Sequence, residues 1–149
     1  MRYFVYFSAT GNGDYLAEQL KEFGYIPVKL EPVKPLGKMN FFRIMKYGGQ
    51  AMFNKKMPLK DFELNLKEDD VVVVGSPIWN DRLSTPINTL LAKYSLNKKT
   101  TRFILYPAGK TTSKSLKQIK NLGFELEPVV IPYPKKYVEE SKALLETFK

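Results

Sequence analysis

Four valines followed by glycine, "VVVVG" at residues 71–75, constrain this chain more than any other stretch. A β-branched run with no polar alternation belongs to a strand covered on both faces, as in the middle of a parallel sheet. Parallel neighbours must be joined by crossovers, usually helical. The chain supplies both kinds of element. "RYFVYFS" (2–8) reads as a buried strand and "IPVKLEP" (26–32) as an alternating one. "RFILYP" (102–107) and "ELEPVVIPY" (125–133) add two more after the valine run.

Helical patterns fall between these strands. Leu16, Leu20 and Phe23 share one face, with Asn12 or Asp14 as the cap and Gly24 as the stop. Thr85-Pro86 reads as a cap and first-turn pair, opening a helix that carries Ile87, Leu90, Leu91 and Tyr94 on one side. Leu116, Ile119 and Leu122 mark a helix around 112–122 that Gly123 ends, and 135–148 closes the chain as another. Alternation of this kind predicts an α/β domain: a parallel sheet, right-handed crossovers and helices on both faces.

Residues 33–60 are the irregular part. "NFFRIMKYGGQAMFNKKMPL" predicts a short helix broken at Gly48-Gly49. A crossover helix with its apolar side on the sheet is the favoured reading. The alternative is an amphipathic element over 41–53 that touches a membrane surface or a partner. No repeat or domain boundary is visible, so a single domain over 1–149 is expected.

Composition excludes several chemistries. With no Cys there are no disulfides, thiolate nucleophiles or Cys-ligated clusters; with no His, a Ser-His-Asp hydrolase is ruled out. No catalytic side chain and no metal site stand out, so redox or group-transfer chemistry would have to come from a bound cofactor. The net charge of +9 is uneven: residues 29–60 carry a balance of +7 and residues 93–120 one of +8. Most such lysines are solvated surface, while a basic docking face for an acidic partner is the sharper reading. No apolar run is long enough to span a membrane and no secretory signal is evident, so a cytoplasmic location is expected.

Ligands of open parallel sheets bind beyond the carboxyl ends of the strands. Three loops lie there: 8–13, 75–84 and 106–112. In the first, "SATGNG" enters a helix, where backbone N–H groups and the hydroxyls of Ser8 and Thr10 can meet an anion. The triphosphate signature fails, because Ile104 stands where "GKT" (109–111) would need its first Gly. The dinucleotide fingerprint half-fits through Gly11, Gly13 and Glu31, but Leu16 occupies the third Gly position. A phosphomonoester loop suits the residues best, and an ordinary Gly-rich turn is the plain alternative. In the second loop, Gly75-Ser76-Pro77 turns the chain out of the central strand, and Trp79, the sole Trp, follows. Its ring can stack on a heteroaromatic ligand or fold down over the sheet edge.

Taken together, "YFSATGNGDYLA" and "VVVVGSPIWNDRLSTPINTLL" resemble the phosphate loop and the third strand with its flavin-flanking loop in the flavodoxin family. The likeness spans the whole chain in strand order and length. It implies a three-layer fold with a five-stranded parallel sheet of order 2-1-3-4-5, and FMN bound noncovalently between strands 1 and 3. It also implies the site residues. Ser8, Ala9, Thr10, Gly11, Asn12 and Gly13 would hold the phosphate. Ser76, Pro77, Ile78, Trp79 and Asn80 would line one side of the flavin, and Tyr106, Pro107, Ala108, Gly109 and Lys110 the other.

The chain departs from the family pattern in three places. Gly13 stands where a Thr is usual, which predicts weaker phosphate binding. "YPAGKTTSK" lacks the acidic and aromatic residues common in the family's carriers, and the carriers themselves are usually acidic. The resemblance implies electron transfer to a redox partner, here an acidic one, at a less negative potential because Lys110 and Lys114 lie nearby. An NAD(P)H-dependent FMN or quinone oxidoreductase is the second reading. A cofactor-free basic module is the third, although no nucleic-acid reading surface can be defined.

Overall fold

Val72 and Val74 project to one side of the sheet and Val73 to the other, and all three are buried. Their strand, β3 (Val71–Trp79), runs parallel to β1 (Arg2–Tyr6) on one edge and to β5 (Arg102–Pro107) on the other. Outside these lie β2 (Tyr25–Lys29) beside β1 and β6 (Val129–Val130) beside β5. The parallel order is β2-β1-β3-β5-β6, the expected 2-1-3-4-5, with one strand added. That sixth strand, β4 (Arg82–Leu83), pairs antiparallel with the end of β3. The computed structural model describes residues 1–38, 41–108 and 112–149.

Helices cover both faces. On one side α1 (Asn12–Lys21) and α5 (Val138–Leu145) bury Leu16, Leu20 and Leu145 against Phe4, Tyr6 and Ile104. On the other, α3 (Thr85–Lys93) and α4 (Ser113–Asn121) bury Ile87, Leu90 and Ile119 against Val5, Phe103 and Leu105. Each of these larger side chains contributes about 1.5–3 kcal/mol by leaving water. The layers hold three strand ends, those of β1, β3 and β5, open along one edge.

Several boundaries differ from the sequence reading, each for a local reason. The fifth strand pairs only over Val129–Val130, because Pro128 and Pro132 flank it and cannot donate to a ladder. β3 does not turn at Gly75-Ser76-Pro77 but continues to Trp79. Pairing with β1 ends at Gly75, so Pro77 lies where that edge no longer asks for its N–H. The caps shift as well: Gly11 rather than Asn12 or Asp14 precedes α1, and Ser84 rather than Thr85 precedes α3.

The helix of the irregular region, α2 (Phe41–Met52), is continuous through Gly48-Gly49 instead of breaking there. Among its described side chains Gly48 and Ala51 are buried, whereas Phe42 and Met45 are 79% and 61% exposed. Phe53, just past its end, is 70% exposed. Gly48 lets this helix come close to the hairpin after β3, where a Cβ would lie 3.5 Å from Asn80 Cβ. Among the described residues no helix is long and apolar enough to cross a membrane, and no cluster of acidic side chains could hold a metal ion.

Candidate functional site

The residue that organises the first loop is Ser8. Its Oγ accepts the backbone N–H groups of Gly11 and Gly13 at 3.1 Å and of Asp14 at 3.3 Å. These are orphan donors at the start of α1, and a hydroxyl three to six residues upstream satisfies them in place of a conventional cap. With its lone pairs so used, the Ser8 hydroxyl hydrogen is left to be donated away from the helix. Asn12 Nδ2 lies 3.5 Å from Thr10 Oγ1, so two more polar side chains share the loop's outer rim. Asp14 in the first turn is held from below by the Tyr6 hydroxyl at 3.0 Å and by Lys29 at 2.9 Å.

Gly13 does not face outward. A Cβ there would stand 2.7 Å from the Tyr106 hydroxyl and 2.9 Å from both Ser8 Cβ and Tyr6 Cδ2. The missing Thr is thus a packing requirement: α1 begins so close to the sheet that no larger residue fits. Tyr106 is buried and donates its hydroxyl hydrogen to the Phe7 carbonyl. Burial, reinforced by Tyr6 and Asp14, holds its phenol well above the usual tyrosine range. Tyr6 shifts the same way, through burial and its bond to Asp14. Both hydroxyls therefore stay protonated as donors.

At the end of β3 the chain reverses through Asn80 and Asp81, with φ of 50° and 54°. Two consecutive positive-φ residues are what a tight two-residue hairpin asks for, and Asn and Asp tolerate them best after Gly. Asp81 has a second task. Its carboxylate accepts Lys114 N at 3.1 Å, Ser115 N at 3.2 Å and Ser115 Oγ at 3.1 Å, capping α4 from outside the helix. The hairpin is thereby tied to the first turn of α4.

Trp79 is half-buried and fixed by two rings. Phe7 meets it edge-on at 5.6 Å between centroids, and Tyr47 of α2 lies tilted at 5.7 Å. The two readings of this side chain combine: the ring folds against the sheet edge and also walls a cavity.

That cavity measures about 530 Å³, within the range usual for small-molecule sites, about 300–1,000 Å³. Ser8, Ala9, Thr10 and Asn12 form its polar end, and Pro77, Ile78, Trp79 and Asn80 one wall. Tyr106 and Ala108 come from the third loop. The remaining expected site residues stand elsewhere. Ser76 is fully buried, with its hydroxyl 3.0 Å from that of Ser84. Gly11 and Gly13 shape the turn without lining the cavity, and Pro107 pairs with Ile78 within the sheet. Gly109 and Lys110 lie outside the described residues.

Two contributions were missed in the sequence. Met45, Gly48 and Gly49 of α2 close the cavity from the side, a role that the adjacent glycines could have signalled. The segment between β6 and α5 touches the first and third loops: Tyr133 donates its hydroxyl to the Ala108 carbonyl, and Lys135 Nζ lies 2.8 Å from the Thr10 carbonyl. Nothing in the local sequence marks Lys135. Among the described residues no carboxylate, Lys or Arg lines the cavity.

No family model and no curated protein matches the chain by sequence. Solved structures do match by shape. A protein of Bacteroides eggerthii DSM 20697 classed as a flavoprotein superposes with a TM-score of 0.70 at 23% identity, covering 98% of this chain and 96% of that one. Another so classed, from Bacteroides uniformis ATCC 8492, gives 0.71 at 17%, covering 99% and 96%. A flavoprotein from Lactobacillus acidophilus NCFM, crystallised in complex with FMN, gives 0.59 at 16%, covering 95% and 97%. The chain has a flavoprotein fold. At these identities the likeness concerns the fold, and the site must be argued from its own residues.

Proposed function

We propose that this chain binds FMN noncovalently and serves in electron transfer, in the manner of a flavodoxin. The observation that carries the reading is the two-ended cavity at the switch between β1 and β3. Hydroxyls and an amide crowd one end, at the start of a helix, which suits a phosphate. Pro77, Ile78, Trp79 and Met45 make the other end apolar and flat-sided, which suits a fused ring. One of the structures with this fold holds FMN.

In such a complex Ser8 and Thr10 would donate to the phosphate, and Trp79, held by Phe7 and Tyr47, would flank the ring. Bound there, the flavin supplies the one- and two-electron chemistry that side chains of a chain without Cys or His do not. Among the described residues the lining offers no carboxylate, Lys or Arg, and the protein's part is to bind, orient and exclude water.

The partner we propose is a protein with an apolar contact ringed by acidic groups. The net charge of +9, the basic balance of residues 29–60 and the exposure of Phe42, Met45 and Phe53 support this. A steady-state assay of the FMN-loaded protein with NADH or NADPH and a quinone separates carrier from reductase. Negligible oxidation of the nicotinamide is expected; sustained turnover would contradict the carrier reading and favour an oxidoreductase.

A further inference from the structure

Lys135 reaches the phosphate loop from the far end of the chain. Its Nζ donates to the Thr10 carbonyl at 2.8 Å, and its backbone N–H points to Asn12 Oδ1 at 3.4 Å. Contact with the loop is close: a Cβ on Gly11, whose φ is +91°, would lie 2.8 Å from that same Nζ. The segment that presents it is anchored, because Tyr133 holds the Ala108 carbonyl and accepts the N–H groups of Lys136 and Tyr137 on its own carbonyl.

The electrostatics of this placement need an explanation. The N-terminus of a helix carries partial positive charge, so a cation beside it is at the unfavourable end. The acid of that first turn offers no relief, since Asp14 pairs with Lys29 and Tyr6. Among the described residues no carboxylate lies within ion-pair distance of Lys135. Among the described residues only one of its three N–H donors meets an acceptor, the Thr10 carbonyl. An anion on the loop would turn an unfavourable arrangement into a favourable one.

We propose that Lys135 is a phosphate ligand of this site and selects the phosphorylated flavin over the unphosphorylated one. Lys135 supplies the charge where Gly13 supplies no hydroxyl, and its Nζ already sits at the loop, on the Thr10 carbonyl and against Gly11. The assignment rests on the FMN reading and goes beyond it by naming the group that recognises the phosphate.

The test compares dissociation constants for FMN and riboflavin, by flavin fluorescence, in the unsubstituted protein, Lys135→Met and Lys135→Arg. Lys135→Met should weaken FMN about tenfold, as expected for a charge-assisted bond to phosphate that is partly screened. Riboflavin binding should not change, and Lys135→Arg should restore most of the FMN affinity. Added salt should weaken FMN in the unsubstituted protein more than in Lys135→Met. Equal FMN affinity in the unsubstituted protein and Lys135→Met would overturn the assignment while leaving the flavin reading intact. Parallel losses for FMN and riboflavin would overturn it too, by showing a structural role. Absence of FMN binding in the unsubstituted protein would overturn both.

Discussion

Gly13 and Tyr106 are matched: a Cβ on the glycine would stand 2.7 Å from the tyrosine hydroxyl, which is itself committed to the Phe7 carbonyl. Gly13→Ala should therefore destabilise the fold by about 1–3 kcal/mol through overpacking. Tyr106→Phe removes the obstructing oxygen but orphans a buried carbonyl, at about 1–3 kcal/mol. Because each change alters the same contact, the double variant should lose less than the sum. Urea unfolding of the four proteins reads this directly, and strict additivity would contradict the contact.

The same hydroxyl predicts an alkaline weakness. Burial holds the Tyr106 phenol above its ordinary value of 10.0, so the folded protein keeps a proton that the unfolded chain loses. Stability from this source is complete below that ordinary value and falls as pH rises above it, by about 1 kcal/mol per pH unit. Tyr6 acts in the same direction. Tyr106→Phe should flatten the fall, as denaturant midpoints across the alkaline range would show. Identical slopes with and without the hydroxyl would count against it.

Ser8 should matter to the apo fold as well as to a ligand. Ser8→Ala strips the acceptor from three N–H groups and should cost about 1–2 kcal/mol, as loss of a helix cap does. Hydrogen exchange at Gly13 and Asp14 should accelerate locally. Unchanged exchange there would mean that water replaces the hydroxyl at no cost.

At Asp81 two demands meet, a positive φ and an external cap on α4. Asp81→Asn can serve both, Asp81→Gly only the first, and Asp81→Ala neither. Thermal stability should follow that order, with Ala lower than Asn by about 2 kcal/mol, about 1 for each demand. An alanine variant as stable as the asparagine one would refute the double role.

The valine run and the strand-helix alternation were legible because burial on two faces leaves only apolar residues to choose from. The phosphate loop and Trp79 were legible because their residue types are unusual for plain turns. The hairpin was not. Asn80 and Asp81 sit in a stretch whose Gly and Pro looked like the turn, whereas those residues continue the strand. Met45, Gly48 and Gly49 belong to a helix whose apolar pattern suggested inward packing. Their place at the cavity is a tertiary condition that periodicity does not express. Lys135 shows the limit most clearly: its role depends on a contact between residues 125 positions apart in the chain.

Trp79, the sole Trp, walls the cavity and so reports on it alone. The most direct measurement is a titration of the purified chain with FMN, followed by Trp fluorescence and flavin absorbance together. Saturable quenching of Trp79 with a perturbed flavin spectrum, at one FMN per chain, is the predicted result. A Trp signal and a flavin spectrum that both ignore the titration would contradict the account.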